Sequence, residues 1–201
     1  VCPMITRAII LAAGSGKKAW PYGEFRQKCT LPICNIPIVR RLVQQLTQIG
    51  IEEIIVVVGH HAQQVISVTA DLPNVTFVTQ KILDGTATAT YQAITTESCA
   101  EQYLVLAGDI VTSTNDLRRF VRQLGQAEAS VLVNQLGKED PLNWICAGVN
   151  QNLITGIEGH PRGGKFRLCG IYGFSSSAVG YIRRNPGFAT PVPVGGMPPV
   201  E

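Results

Sequence analysis

The segment of residues 11–32, "LAAGSGKKAWPYGEFRQKCTLP", combines the residue types that a phosphate-binding loop needs. Glycines at its start let backbone N–H groups approach phosphate oxygens without an intervening side chain, and consecutive N–H groups form an anion-binding concavity. Lys17, Lys18 and Lys28 add positive charge. Because the segment follows an apolar run, we expect it at the carboxyl end of a buried strand, where ligands bind in open parallel sheets.

Two widespread phosphate-binding motifs fit this segment poorly. Gly14, Gly16 and Ala19 match the dinucleotide pattern G-x-G-x-x-G/A. However, prolines and a glycine follow where that pattern needs a helix, and no acidic residue stands about 20 positions further on. A P-loop would need glycine in place of Leu11 and a hydroxyl residue in place of Lys18. The dinucleotide match is therefore weak, and the P-loop pattern fails.

A third interpretation comes from four short sequence blocks in register along the chain. The opening block contains Leu11, Ala12, Ala13, Gly14, Gly16, Pro21, Lys28, Leu31, Pro32 and Pro37. The later blocks are Gln80 with Gly85-Thr86, then Gly108-Asp109, then "CGIYGFS" at residues 169–175. Together they resemble the sugar-phosphate nucleotidyltransferases, whose opening signature is L-A-[AG]-G-x-G-T-R. The resemblance covers nearly the whole chain.

This resemblance implies Mg²⁺-dependent transfer of a nucleotidyl group from an NTP to a sugar 1-phosphate, with release of pyrophosphate. The nucleotide-binding residues that it implies are Leu11, Ala12, Ala13, Gly14, Ser15, Gly16, Lys17, Gln80, Gly85 and Thr86. Gln80 would read a pyrimidine edge, which favours UTP or dTTP.

The implied reaction needs no protein nucleophile, because a sugar-phosphate oxygen attacks the α-phosphorus. The protein must position two anions and neutralise the charge that develops during transfer. Lys18, Lys28 and Asp109 are the catalytic residues implied. Lys28 would face the α-phosphate, and Asp109 would hold Mg²⁺, a hard cation that prefers carboxylate and phosphate oxygens.

The sequence departs from the family pattern in the loop and on the sugar side. Lys17-Lys18 stands for Thr-Arg, and lysine lacks the bidentate fork of arginine. The family's Pro-Lys is Gln27-Lys28 here, its Glu-Lys-Pro aligns with residues 159–161, and its asparagine before Ala-Gly aligns with Leu168. The remaining sugar-binding candidates are Gly108, Glu158, His160 and Arg162.

Two alternatives stay open. The chain is either an enzyme or a degenerate domain that binds a nucleotide or nucleotide-sugar in a regulatory or scaffolding role without turnover. A third possibility keeps the fold and transfers the nucleotidyl group to a non-sugar phosphate alcohol.

Alternating apolar and amphipathic stretches predict the elements that position these residues: an α/β fold with a Rossmann-like, mainly parallel sheet and helices on both faces. We expect strands at 6–12, 52–59, 75–78 and 102–109, then a strand-rich part at 129–136, 144–149, 153–158 and 166–174. We expect helices at 38–49, 61–68, 86–96 and 115–124, and an extended, proline-rich tail at 185–201.

Several other residues receive structural rather than functional interpretations. His60 and His61 follow a strand and are expected to cap or begin a helix rather than bind a metal. Trp20 and Tyr22 are expected to pack the long loop against the domain, with base stacking as the alternative. The six cysteines lack close pairing, so we expect buried free thiols without a chemical role.

Composition limits the classes of partner. The 201 residues suit one domain, and a formal charge of +3 is too small to favour nucleic acid. Apolar runs stay short of the ~20 residues that a membrane span needs. We expect a cytoplasmic protein with a single domain over residues 1–201, truncated at its C-terminal end if the chain continues. A homo-oligomer or a further C-terminal domain fits this expectation.

Overall fold

The computed structural model describes residues 7–16, 19–83, 85–95, 102–124, 127–158 and 164–183. Its centre is an eight-stranded mixed sheet with the order β5-β4-β1-β6-β10-β8-β9, in which β7 also pairs with β10. The strands are β1 (Arg7–Ala12), β2 (Pro32–Ile33), β3 (Ile36–Pro37), β4 (Glu53–Val58), β5 (Val75–Thr79), β6 (Gln102–Ala107), β7 (Ala129–Gln135), β8 (Cys146–Asn150), β9 (Leu153–Glu158) and β10 (Phe166–Ser175). Strands β2 and β3 form a separate hairpin.

The parallel half of the sheet contains β5, β4, β1 and β6. Its central strands are nearly continuous apolar runs, which is the pattern of strands buried on both faces. Ile9 and Ile10 of β1 and Ile54 and Ile55 of β4 are fully buried. Neighbouring residues along each strand therefore contribute to cores on opposite faces.

Helices cover both faces of this half. They are α1 (Tyr22–Phe25), α2 (Ile38–Gln48), α3 (Ala62–Thr69), α4 (Thr86–Thr95), α5 (Thr114–Gln123) and α6 (Ser176–Arg183). Val39 of α2 and Leu117 of α5 pack with Ile10 in one core. Ala93 of α4 and Val179 of α6 pack with Ile9 in the other. The predicted fold class is confirmed.

The strand-rich second half is antiparallel. Strand β10 pairs antiparallel with β6, β7 and β8, and β8 pairs antiparallel with β9. The change to strands near residue 129 is confirmed, as are the predicted strands and helices within about two residues at most ends. Helix α6 was not predicted.

The segment from residue 20 to 32 differs from the long irregular loop that its prolines and glycine predict. It contains the one-turn helix α1 and a 3-10 turn at Lys28–Thr30. Among the described residues, no helix is long and apolar enough to cross a membrane. The proline-rich tail after residue 183 lies outside the described part of the chain.

Candidate active site

The glycine loop, residues 13–16, follows the carboxyl end of β1, and hydrogen bonds hold carbonyl groups at this junction. The Gly108 N–H donates to Leu11 O (2.8 Å), and the His60 N–H donates to Ala13 O (3.0 Å). On the outer side Gly14 is exposed, and a Cβ added there would have no atom of the described residues within 4 Å. The loop therefore has a fixed inner side and an open outer side.

Gln27 completes the inner side of the glycine loop. Its side chain is buried, and its Nε2 donates to Ala12 O (3.0 Å), Gly14 O (2.8 Å) and His60 O (3.1 Å). Its own backbone N–H donates to Gln64 Oε1 (2.8 Å). Neither glutamine was predicted as a site residue. The available signal was a polar residue directly before Lys28, where the family signature has proline.

Helix α1 supports the glycine loop from the side. A Cβ on Gly23 would lie 2.6 Å from Gly16 O, so the backbone approaches as closely as only glycine allows. The Nε2 atom of His60 lies 3.2 Å from Gly23 O, and that of His61 lies 3.0 Å from Glu24 O. Because carbonyl oxygens only accept, both contacts assign the ring proton to Nε2.

These contacts refine the interpretation of the two histidines. His61 directly precedes α3, as expected, but it makes no side-chain capping hydrogen bond. Both rings instead hold α1 against the turn that follows β4. Within the described part of the chain, no group of three or more His, Cys, Asp or Glu side chains could hold a metal ion.

Trp20 and Tyr22 do not pack the loop against the domain, so that expectation is wrong. Their side chains are 73% and 69% exposed, and Phe25 is 72% exposed. The inward position of α1 is taken by Gly23, which leaves the neighbouring aromatic rings on the outside. Trp20 Nε1 donates to Glu24 Oε1 (3.1 Å).

The structure brings together Lys28 and Asp109, two of the predicted catalytic residues. Lys28 begins the 3-10 turn after Gln27, and Asp109 follows β6. Their Nζ and Oδ2 atoms form an ion pair, with side chains 39% and 31% exposed. Gly108 lets the chain before Asp109 pass close to the end of β1, since a Cβ on Gly108 would lie 2.8 Å from Leu11 O.

Cys29 lies beneath this pair and is chemically quiet. Burial, and secondarily the Asp109 carboxylate, raise the pKa of its thiol to about 12. Cys146 is buried as well, and burial raises the pKa of the half-buried Cys169. The expectation of buried thiols is wrong for Cys34, which is exposed.

The Cys34 exposure follows from its place in the fold. It lies in the tight turn between β2 and β3, where its φ is 49°. Cys2 and Cys99 lie outside the described residues.

The predicted base-reading element assembles next to the glycine loop. Gln80 is buried after β5, its N–H donates to Val58 O (2.8 Å), and its Nε2 donates to Gly85 O (3.1 Å). Thr86 begins α4. Leu83 connects this element to the glycine loop, because both contact Gly59. A Cβ added to Gly59 would lie 2.9 Å from Leu83 Cδ2 and 2.9 Å from Ala13 O.

The predicted sugar side is described only in part. Gly170 of β10 has a φ of 73° and lies against Ile110 and Ala107, beside the end of β6. Leu168 is a described strand residue of β10. Glu158 ends β9, but its side chain lies outside the description. His160, Arg162 and the loop lysines, Lys17 and Lys18, also lie outside the described residues.

Asp109 is the described residue that suits Mg²⁺. It offers one partly exposed carboxylate at a strand end, and Mg²⁺ is commonly bound by one or two carboxylates together with substrate phosphates. Lys28 occupies the Asp109 Oδ2 atom in this structure. A metal ion there would therefore compete with the lysine for the carboxylate.

The sequence of residues 8–165 matches the family described as the MobA-like NTP transferase domain. This match spans well over half of the chain, so the protein belongs to this nucleotidyltransferase family. The strand-end glycine loop and the Lys28–Asp109 pair are thus parts of a nucleotidyltransferase fold.

Curated relatives agree with this assignment. The bifunctional protein GlmU of Methanocaldococcus jannaschii is 25% identical over 179 residues, which cover 88% of this chain and 42% of that protein. The protein of the same name from Methanococcus maripaludis (strain S2) is 31% identical over 151 residues, covering 75% and 35%. The chain therefore spans less than half the length of these relatives.

Solved structures share the fold. A candidate glucose-1-phosphate thymidylyltransferase from Bacillus anthracis, in complex with a sucrose, superimposes with a TM-score of 0.78 at 25% identity, over 92% of this chain and 76% of that one. The inositol-1-phosphate CTP transferase from T. maritima gives 0.77 at 18% identity, over 90% and 74%. The second similarity concerns the fold alone.

Proposed function

We propose that this protein transfers a nucleotidyl group from an NTP to a sugar 1-phosphate, giving an NDP-sugar and pyrophosphate. One observation carries the proposal: the Lys28–Asp109 pair lies at the strand ends beside a glycine loop whose Ala13 and Gly14 carbonyls are hydrogen-bonded to the protein. That arrangement offers backbone N–H groups and a lysine to phosphates, and a carboxylate to a cation.

The glycine loop binds the β- and γ-phosphates of the NTP through its outward N–H groups. Lys28 leaves Asp109 and faces the α-phosphate. An oxygen of the sugar phosphate attacks the α-phosphorus in line and forms the new P–O bond, while the α–β bridging bond breaks and pyrophosphate leaves with its electrons. Lys28 stabilises the charge that develops on the α-phosphate.

Asp109 holds Mg²⁺ in this proposal. When bound, the ion neutralises phosphate charge that Lys28 alone leaves uncompensated. The ion pair keeps both side chains at the site before substrate enters. Lys28 would then pair with a substrate phosphate, and Asp109 would hold the metal ion.

UTP or dTTP is the proposed donor. The support is the resemblance of Gln80 and Gly85-Thr86 to the family's base-reading element, together with the similar structure from Bacillus anthracis, which is described as a glucose-1-phosphate thymidylyltransferase. Sugar 1-phosphates are the proposed acceptors on the same basis.

A second candidate function is nucleotide or nucleotide-sugar binding without turnover. Leu168 favours it, because leucine offers no hydrogen bond where the family signature has asparagine. A buried sugar hydroxyl left without a partner costs about 1–3 kcal/mol.

The deciding experiment measures pyrophosphate release with Mg²⁺, each common NTP and a panel of sugar 1-phosphates, alongside the melting temperature with each NTP. Release with one NTP–sugar pair, abolished by EDTA, supports the enzyme. An NTP-dependent rise in melting temperature without release in any combination supports the binding domain. If no NTP raises the melting temperature and no pyrophosphate is released, both candidates are contradicted.

A further inference from the structure

Gln27 is the buried polar side chain that connects the glycine loop to its surroundings. A side-chain amide carries two N–H groups. In Gln27 they serve three acceptors, Ala12 O, Gly14 O and His60 O, at 2.8–3.1 Å. The residue is 4% exposed, so water does not replace these bonds. One side chain therefore fixes both the glycine loop and the turn after β4.

The orientation of the Gly14 carbonyl determines that of the next N–H group. In a trans peptide the C=O and the following N–H point in opposite directions. Holding Gly14 O against Gln27 therefore turns the Ser15 N–H toward the open outer side of the loop. Among the described residues no atom lies within 4 Å of where a Cβ on Gly14 would be, so a phosphate oxygen has room to approach over Gly14.

Gln27 also acts on Lys28 through the chain. Its backbone N–H is held by Gln64 Oε1 (2.8 Å), and the Gln64 amide donates in turn to Phe25 O (2.9 Å). The backbone is thus fixed directly before Lys28. The Lys28 Cβ lies 3.8 Å from where a Cβ on Gly16 would be, so the lysine stem stands beside the loop.

We propose that Gln27 is a positioning residue. It orients the Ser15 N–H toward the phosphates of the NTP and fixes the backbone before Lys28, so that both groups can contact the same polyphosphate. The inference rests on the proposed use of the glycine loop for phosphate. It predicts that removing the amide donors weakens the grip on polyphosphate and leaves the acceptor side unchanged.

The test compares the wild type with Gln27→Met, which keeps the side-chain length but has no donors. Gln45→Met is the matched control, because the Gln45 amide donates to another backbone carbonyl, that of Thr112 (2.8 Å). Magnesium tripolyphosphate is the probe, since its binding does not depend on a base. Calorimetry should show affinity about tenfold weaker in Gln27→Met, as expected when a hydrogen-bonded amide is lost, and unchanged in Gln45→Met.

Kinetics separate positioning from general destabilisation. In Gln27→Met the KM for the NTP should rise, whereas the KM for the sugar 1-phosphate should not. Equal tripolyphosphate affinity in wild type and Gln27→Met overturns the inference. If Gln27→Met binds tripolyphosphate more weakly than the wild type does, but neither protein releases pyrophosphate, the proposed function falls and the inference stands. If the wild type releases pyrophosphate but does not bind tripolyphosphate, the proposed function stands and the inference falls.

A measurement on the wild type covers the case in which Gln27→Met does not fold. In protein labelled with ¹⁵N-serine, the Ser15 amide proton should move downfield on addition of magnesium tripolyphosphate, because it gains a charged acceptor. An unmoved Ser15 resonance at saturation overturns the inference.

Discussion

Replacing Lys28 by methionine should separate catalysis from stability. Methionine keeps an unbranched stem and removes the charge. The Lys28–Asp109 pair is about one-third exposed on both sides, so solvent screens it. Exposed pairs of this kind contribute about 0–1 kcal/mol, and the free energy of unfolding should fall by no more than that.

The expected effect on catalysis is much larger. If Lys28 stabilises charge on the α-phosphate, its loss should cost as much as the loss of one preorganised donor, about 3–4 kcal/mol or 10²–10³-fold in kcat. Pyrophosphate release measures kcat, and urea denaturation measures the free energy of unfolding. We therefore expect Lys28→Met to lose far more in the activation free energy of transfer than in the free energy of unfolding.

A control comes from an ion pair remote from the glycine loop. Arg40 pairs with Asp71 (2.6 Å) and donates to Val68 O (3.0 Å). Arg40→Met should lower stability only slightly, because solvent screens an exposed ion pair, and should leave kcat unchanged. The reasoning is refuted if Lys28→Met retains wild-type kcat, or if its loss of activity is matched by Arg40→Met.

Three further predictions follow from the same contacts. Asp109→Asn should abolish the response of pyrophosphate release to Mg²⁺; a wild-type titration curve would mean that Asp109 is a turn residue only. Gly23→Ala should lower the free energy of unfolding by about 1–3 kcal/mol through overpacking against the loop backbone, whereas Gly14→Ala, which meets no atom within 4 Å, should change it little. Iodoacetamide at pH 8–9 should label Cys34 in the native protein and spare Cys29, whose pKa is raised to about 12; peptide mapping that finds Cys29 alkylated would contradict this.

The raised pKa of Cys29 also makes the free energy of unfolding fall at alkaline pH. The folded protein keeps the thiol proton to higher pH than the unfolded chain does. Folding stability from this group is therefore complete below the ordinary thiol pKa and is lost as pH rises toward 12. Cys29→Ala should flatten that part of the alkaline unfolding profile.

The parallel half of the sheet could be predicted from the sequence, because parallel strands buried on both faces are uninterrupted apolar runs. Strands β1, β4 and β6 could be placed from those runs, and strand ends meet at one edge of a parallel sheet. The strand-end argument placed the glycine loop, whereas Lys28, Asp109 and Gln80 were proposed as site residues only through the resemblance of their sequence blocks to a known family. Their hydrogen bonds and ion pairs required the structure.

Other features depend on contacts between distant segments. Gln27 is buried because the turn after β4 closes over it, and nothing in its immediate neighbours predicts this. Trp20 and Tyr22 are exposed because Gly23 occupies the inner place in α1. Helix α6 is short, directly follows β10 and packs on α4 and β10. Local pattern does not determine any of these outcomes.

The boundary between the two halves of the sheet has a consequence for mutagenesis. Strands β6 and β10 are joined by antiparallel main-chain pairing, from Leu106–Ile171 to Gln102–Ser175. Main-chain hydrogen bonds do not depend on side-chain identity, so a side chain of β10 can be exchanged while the strand stays paired with β6. Substitution of Leu168 should therefore change the surface that β10 presents without displacing the end of β6, which Asp109 follows.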